Sequence, residues 1–138
     1  MATKKTLLVQ DYMTRRITTL SPGTEIMQAV NTLLEKDISG APVVDDSGEL
    51  VGILTQKDCM KVVLNAAYHS EFCGIVADYM TTGPLALSPD LDIVGAAQEF
   101  LEKKYHSYPV VDDGILVGQI SRRDILIALG DAWQWQKN

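Results

Sequence analysis

Two segments of seven residues each set a hydroxyl three positions ahead of a carboxylate: Gly52-Ile53-Leu54-Thr55-Gln56-Lys57-Asp58 and Gly118-Gln119-Ile120-Ser121-Arg122-Arg123-Asp124. The residues before the hydroxyl read as strand and those after it as helix, so each pair falls at a strand-to-helix junction. Two chemistries fit this spacing. In one, Thr55 or Ser121 is an N-cap and the aspartate reaches back to it, although such boxes prefer the longer Glu or Gln. In the other, a carboxylate beside exposed N–H groups accepts both hydroxyls of a ribose while the helix terminus faces phosphate. Each charge-assisted bond of that kind is worth roughly 1.5–3 kcal/mol, against about 0.3–1 kcal/mol from the helix dipole. Gly52 and Gly118 lie inside the strands, where a glycine marks a bulge or the close approach of backbone or ligand.

These segments belong to a chain that repeats itself. Asp11-Tyr12-Met13-Thr14 recurs as Asp78-Tyr79-Met80-Thr81, Leu20-Ser21-Pro22 as Leu87-Ser88-Pro89, and Pro42-Val43-Val44-Asp45-Asp46 as Pro109-Val110-Val111-Asp112-Asp113. Ser47 has no counterpart, which shortens the second turn by one residue. A duplication of this kind makes the folding unit half the chain and predicts an α/β fold of tandem β-α-β-β-α repeats packed with pseudo-two-fold symmetry. The first repeat with its lead-in occupies 1–68, a linker 69–77 and the second repeat 78–138.

Within each repeat the periods alternate. Ile26, Ala29, Val30, Leu33 and Leu34, and again Ile93, Ala96, Ala97, Phe100 and Leu101, have the spacing of an amphipathic helix. Thr24 and Asp90 are the expected N-caps, after short strands over Ile17 to Leu20 and Leu85 to Leu87. Hairpins follow, turning at Asp46-Ser47-Gly48 and Asp112-Asp113-Gly114, where glycine supplies positive φ. A second helix runs from about Gln56 to Tyr68 and from about Arg122 to Trp135, and Leu7 to Met13 form a short helical lead-in.

Hydrophobic residues make up 46% of the 138 residues and charged residues 22%, as in an ordinary globular protein. A lone repeat of roughly 60 residues is marginal because it buries too little of its surface, so the halves are expected to share a core. The net charge of −6 disfavours nucleic acid and anionic membrane as partners, and no apolar run is long enough to span a bilayer. The N-terminus has two lysines, Lys4 and Lys5, but only a short apolar run, which points to a cytoplasmic address. Cys59 and Cys73 lack metal-site spacing and read as free thiols, with no metal expected. Local basic clusters remain at Arg15-Arg16, at Lys103-Lys104 with His106, and at Arg122-Arg123.

The ordered set of motifs, present twice from Asp11 to about Leu129, resembles the paired cystathionine-β-synthase (CBS) domain, or Bateman module. The resemblance implies a regulatory module that binds an adenosine-containing ligand, such as AMP, ADP, ATP, NAD or S-adenosylmethionine, in clefts between the repeats. It assigns ribose binding to Asp58 and Asp124, with Thr55 and Ser121 near ribose or phosphate. Ile17, Thr19, Ser39, Gly40, Ala41 and Pro42 would line the base. In the second repeat Ala86 replaces Thr19 and Ser107-Tyr108 replace Gly40-Ala41, so that Tyr108 either stacks on a base or fills its space. The phosphates would fall to Arg15, Arg16, Lys57, His106, Arg122 and Arg123.

No nucleophile–base signature accompanies His69 and His106, so catalysis and a catalytic cofactor are not expected. The alternative to a nucleotide sensor is a ligand-free module for dimerisation or partner docking, since a fold outlasts its site. Trp133 and Trp135, two apart on a helix, point about 200° from each other, so at most one faces a core. CBS pairs commonly self-associate, and a homodimer is expected here, signalling to an unidentified effector protein.

Overall fold

The computed structural model describes residues 6–103 and 105–137; Met1 to Lys5, Lys104 and Asn138 lie outside the described residues. In chain order the elements are α1 (Val9–Tyr12), α2 (Ile26–Lys36), β1 (Gly40–Val44), β2 (Leu50–Thr55), α3 (Gln56–His69), α4 (Val76–Tyr79), β3 (Thr81–Thr82), α5 (Ile93–Glu102), β4 (Ser107–Asp112), β5 (Ile115–Ser121) and α6 (Arg122–Lys137). The α/β architecture and both repeats of the expected fold are present. No helix among the described residues is long and apolar enough to cross a membrane.

The chain divides into two compact units, Thr18–Pro84 and Met1–Ile17 with Leu85–Asn138. The units therefore exchange lead-ins relative to the sequence repeats. In the Thr18–Pro84 unit, α4 hangs on the first repeat's Ser-Pro turn: Val76 N donates to Thr24 O at 2.8 Å and Ala77 N to Pro22 O at 2.9 Å. In the other unit α1 does the same to the second repeat, with Val9 N on Leu91 O at 2.8 Å and Gln10 N on Pro89 O at 2.9 Å. Val76 and Val9 are fully buried in the cores they enter. Where one shared core is expected, the buried apolar side chains among the described residues form two clusters, one around Ile26, Leu33, Val43, Leu54 and Val62, the other around Val9, Leu87, Tyr108, Val110 and Ile120.

Both amphipathic helices form, burying Ile26, Ala29 and Leu33 on α2 and Ala96 on α5, while Leu34 and Leu101 are exposed. Their caps are not Thr24 and Asp90 but Glu25 and Asp92. Glu25 accepts from Met27 N and Gln28 N, both at 3.1 Å, and Asp92 from Gly95 N at 2.7 Å. The preceding turns claim the earlier residues: Thr24 N donates to Ser21 O, and Asp90 accepts from the Ser88 hydroxyl. The expected strands Ile17 to Leu20 and Leu85 to Leu87 shrink to single parallel bridges, Leu20 to Val43 and Leu87 to Val110.

The two hairpins pair in equivalent registers, Gly40 opposite Thr55 and Ser107 opposite Ser121, each with a bulge near the turn. Asp113 and Gly114 both have positive φ, as a two-residue hairpin turn requires, and Gly48 supplies it in the longer one. β3, which follows α4, adds a third strand to β1 and β2 through Gly52–Thr82 and Ile53–Thr81 pairs. Its counterpart is the bridge between Thr14 and Gln119.

Candidate functional site

The hydroxyl–carboxylate pairs form capping boxes in both units. Thr55 N and Thr55 Oγ1 each donate to Asp58 Oδ2 at 3.0 Å, and Asp58 N returns to Thr55 Oγ1 at 3.1 Å. Ser121 N and Ser121 Oγ donate to Asp124 Oδ2 at 2.8 and 3.1 Å, with Asp124 N on Ser121 Oγ at 3.3 Å. The capping reading is thus realised, and it leaves each aspartate's second oxygen, Oδ1, to other work. Around those oxygens the two copies differ. Asp58 Oδ1 meets Lys61 Nζ at 3.3 Å and the Thr81 hydroxyl at 3.2 Å, and Asp58 as a whole is 5% exposed. Asp124 is half-buried, and no described residue donates to its Oδ1.

Neighbouring backbone ties the junctions to the segments before the hairpins. Gln56 N donates to Ser39 O at 2.8 Å and Gln56 Nε2 to Ile38 O at 3.1 Å. Arg122 N donates to His106 O and Arg122 Nε to Tyr105 O, both at 3.3 Å. Ser39 and Gly40 are thereby gathered beside Thr55 and Asp58, and His106 beside Ser121 and Asp124. Arg122, expected at phosphate, has its Nε occupied as a brace, the same task Gln56 performs.

Of the other expected base residues, Ala41 and Pro42 are buried, Thr19 and Ser39 exposed, and Gly40 and Ile17 half-buried. Tyr108 is a core residue: 1% exposed, with its hydroxyl donating to Glu99 O at 3.0 Å. Phe100 and Tyr105 pack edge-on against its ring at 4.9 and 5.3 Å between centroids, which leaves no open face for stacking a base. Burial, and then the charge of Glu99, raise its hydroxyl above the ordinary tyrosine pKa. Arg15, Arg16, Lys57, His106 and Arg123 are all exposed. Trp133 and Trp135 are both largely exposed, so neither fills a core.

The strand glycines make room for a methionine side chain and the carbonyl that follows it. A Cβ at Gly52 would lie 2.6 Å from Met80 Sδ and 3.0 Å from Thr81 O; at Gly118, 2.5 Å from Met13 Sδ and 3.1 Å from Thr14 O. The repeated Met-Thr dipeptide therefore seats on the glycine of the other repeat. In the Thr18–Pro84 unit that seat delivers Thr81 to Asp58, a site residue missed in the sequence although its motif was plain. Lys61, one helical turn beyond Asp58, is missed as well, and its i, i+3 spacing from Asp58 is the signal that points to it.

The described residues hold no cluster of His, Cys, Asp and Glu able to bind a metal ion. Cys59 is buried and Cys73 exposed, both as free thiols; burial, with the nearby Asp58 charge, pushes the Cys59 thiol up. A cleft of about 420 Å³ is lined by Lys61, Asn65, Cys73, Gly74, Asp78 and Tyr79 and contains none of the expected ligand residues.

A family model described as CBS domain matches residues 9–65 and again 76–131. The chain is similar to CBSX2 of Arabidopsis thaliana, a chloroplastic CBS domain-containing protein, at 28% identity over 148 residues, covering 87% of this chain and 62% of that protein. A crystal structure of CBSX2 in complex with AMP matches with a TM-score of 0.79 at 31% identity, over 91% of this chain and 97% of that one. The CBS domain pair of protein MJ0100, solved with 5′-methylthioadenosine and S-adenosyl-L-methionine, matches with a TM-score of 0.72 at 26% identity, over 92% and 98% of the two chains. Protein MJ1225 of Methanocaldococcus jannaschii is 29% identical over 125 residues, which is 91% of this chain but 44% of its own length. The chain thus spans less than two thirds of these curated relatives, 62% of one and 44% of the other.

Proposed function

This chain belongs to the CBS-domain family, and we propose that it is a regulatory module that binds an adenine nucleotide (AMP, ADP, ATP) or a related adenosine compound. The observation that carries the reading is the aspartate held at a helix N-terminus by its own hydroxyl partner, in both repeats. An ionised carboxylate fixed in this way is a preorganised acceptor for a ribose diol. The ligands of the relatives support the same chemistry. AMP in CBSX2, and methylthioadenosine and S-adenosylmethionine in MJ0100, share adenosine and not phosphate. Phosphate preference then rests on the exposed cations Arg15, Arg16, Lys57, His106 and Arg123. The role is binding and not catalysis, and the signal passes as a change of conformation or oligomer to an effector protein.

Association into a homodimer is the companion proposal. On α3, Met60, Val63, Leu64 and Tyr68 are exposed at helical spacing; on α6, Leu126, Leu129 and Trp133 occupy equivalent turns and are exposed as well. Two such apolar stripes also favour a second reading, a dimerisation or docking module that binds no ligand. Thermal unfolding with a panel of adenosine compounds separates the two. A ligand at 100 times its Kd adds roughly 2.7 kcal/mol of stability, and a chain indifferent to the whole panel supports the second reading.

A further inference from the structure

We infer that the two aspartates are not equivalent binding groups: Asp124 is open to an adenosine diol, whereas Asp58 is held shut by Thr81 and Lys61. The inference rests on the adenosine reading above and deepens it by assigning the first ligand to the Asp124 half. An ionised carboxylate offers about four lone-pair positions. Asp58 has four donors already: Thr55 N, Thr55 Oγ1, Lys61 Nζ and Thr81 Oγ1, the last spanning Oδ1 at 3.2 Å and Oδ2 at 3.4 Å. Among the described residues Asp124 has two, Ser121 N and Ser121 Oγ, both on Oδ2. A diol needs two acceptor positions on one face. Oδ1 of Asp124 provides them; Asp58 provides them only after giving up Thr81 and Lys61.

The sequence explains the difference. Ile127 stands on α6 where α3 has Lys61, so the helix itself offers no cation one turn beyond Asp124. Thr14, the counterpart of Thr81, pairs by backbone with Gln119, but its hydroxyl makes no bond to Asp124. Lys61 is solvent-exposed and its ion pair alone is weak, so the hold on Asp58 is a reversible latch.

Isothermal titration of the full chain with AMP tests the assignment. We expect one tight equivalent per chain, weakened roughly tenfold or more by Asp124→Asn, which keeps the shape of the cap. In the double variant Lys61→Met, Thr81→Val a second equivalent gains roughly tenfold. Two equal sites in the wild type, or a tight equivalent indifferent to Asp124→Asn, would overturn the inference. Carbodiimide coupling of glycinamide, read by peptide mass spectrometry without nucleotide, decides the asymmetry independently. Asp124 should be labelled faster than Asp58, and the double variant should close the gap. Selective labelling of Asp124 upholds the asymmetry even in a chain that binds no adenosine compound, a result that overturns only the functional reading. Equal labelling in the wild type overturns the asymmetry itself.

Discussion

Tyr12 and Asp131 are joined by a 2.7 Å hydrogen bond, phenol to carboxylate, across 119 positions of sequence. The bond ties the lead-in helix α1 to the last helix of the unit it enters. Tyr79 and Asn65 form the equivalent pair in the other unit, where Asn65 Nδ2 donates to the phenol at 2.9 Å and the phenol donates to Cys73 O. In the Asp131 version the phenol's partner is a carboxylate; in the other it is an amide and a carbonyl.

Burial and the bond to Asp131 push the Tyr12 hydroxyl up to about 12 from its ordinary 10.0. A group whose folded pKa is raised contributes stability that is complete below the unfolded value and is lost as pH rises through the folded one. The wild type should therefore lose stability between about pH 10 and 12 that Tyr12→Phe does not lose. At neutral pH Tyr12→Phe is expected to cost about 1–3 kcal/mol, because the bond has a charged acceptor. Urea unfolding of both proteins at a series of pH values checks the two outcomes.

Substituting Gly118→Ala presses a methyl group on Met13 Sδ and on Thr14 O. The thioether can swing away, but Thr14 O is pinned by Gln119 N at 2.9 Å. A destabilisation of about 1–3 kcal/mol is expected, and the same for Gly52→Ala against Met80 and Thr81. Thermal denaturation of both variants measures it.

The exchange of lead-ins predicts that damage near the N-terminus is felt far away in sequence. Val9→Ala removes buried apolar atoms worth roughly 1.5–3 kcal/mol from the core around Tyr108 and Val110. Hydrogen exchange should then accelerate in β4 and β5 and stay unchanged in β1 and β2. Acceleration in β1 and β2 instead would contradict the assignment of Val9 to its core.

Arg122 and Arg123 should behave differently despite being adjacent. Arg122→Ala loses the brace on Tyr105 O and is expected to lower stability by about 0.5–1.5 kcal/mol without changing the preference for AMP over adenosine. Arg123→Ala should leave stability nearly unchanged and reduce that preference. Calorimetry with AMP and adenosine, beside an unfolding curve for each variant, gives both quantities.

Much of this is legible in the sequence, and the reason is range. Thr55 and Asp58, or Ser121 and Asp124, lie within one helical turn, so their spacing already contained the capping geometry. Spacing places the N-caps of α2 and α5 one and two residues early, because the Ser-Pro turns take up backbone and side-chain groups that it treats as free. Tyr108 looked ambiguous in sequence, since an aromatic at the position of a small residue suits a stacked base as well as a filled core; only Phe100 and Tyr105 around it decide.

The sequence by itself determined the duplication, the helices, the hairpins and the chemistry of the two junctions, because each is written in residues a few positions apart or in direct repetition. Tertiary structure alone decided that Met13 and Met80 seat on the glycine of the opposite repeat and that Thr81 reaches Asp58 while Thr14 does not reach Asp124. Those contacts join residues separated by tens of positions, and periodicity, which reports only which face of an element is buried, does not specify the partner that covers it.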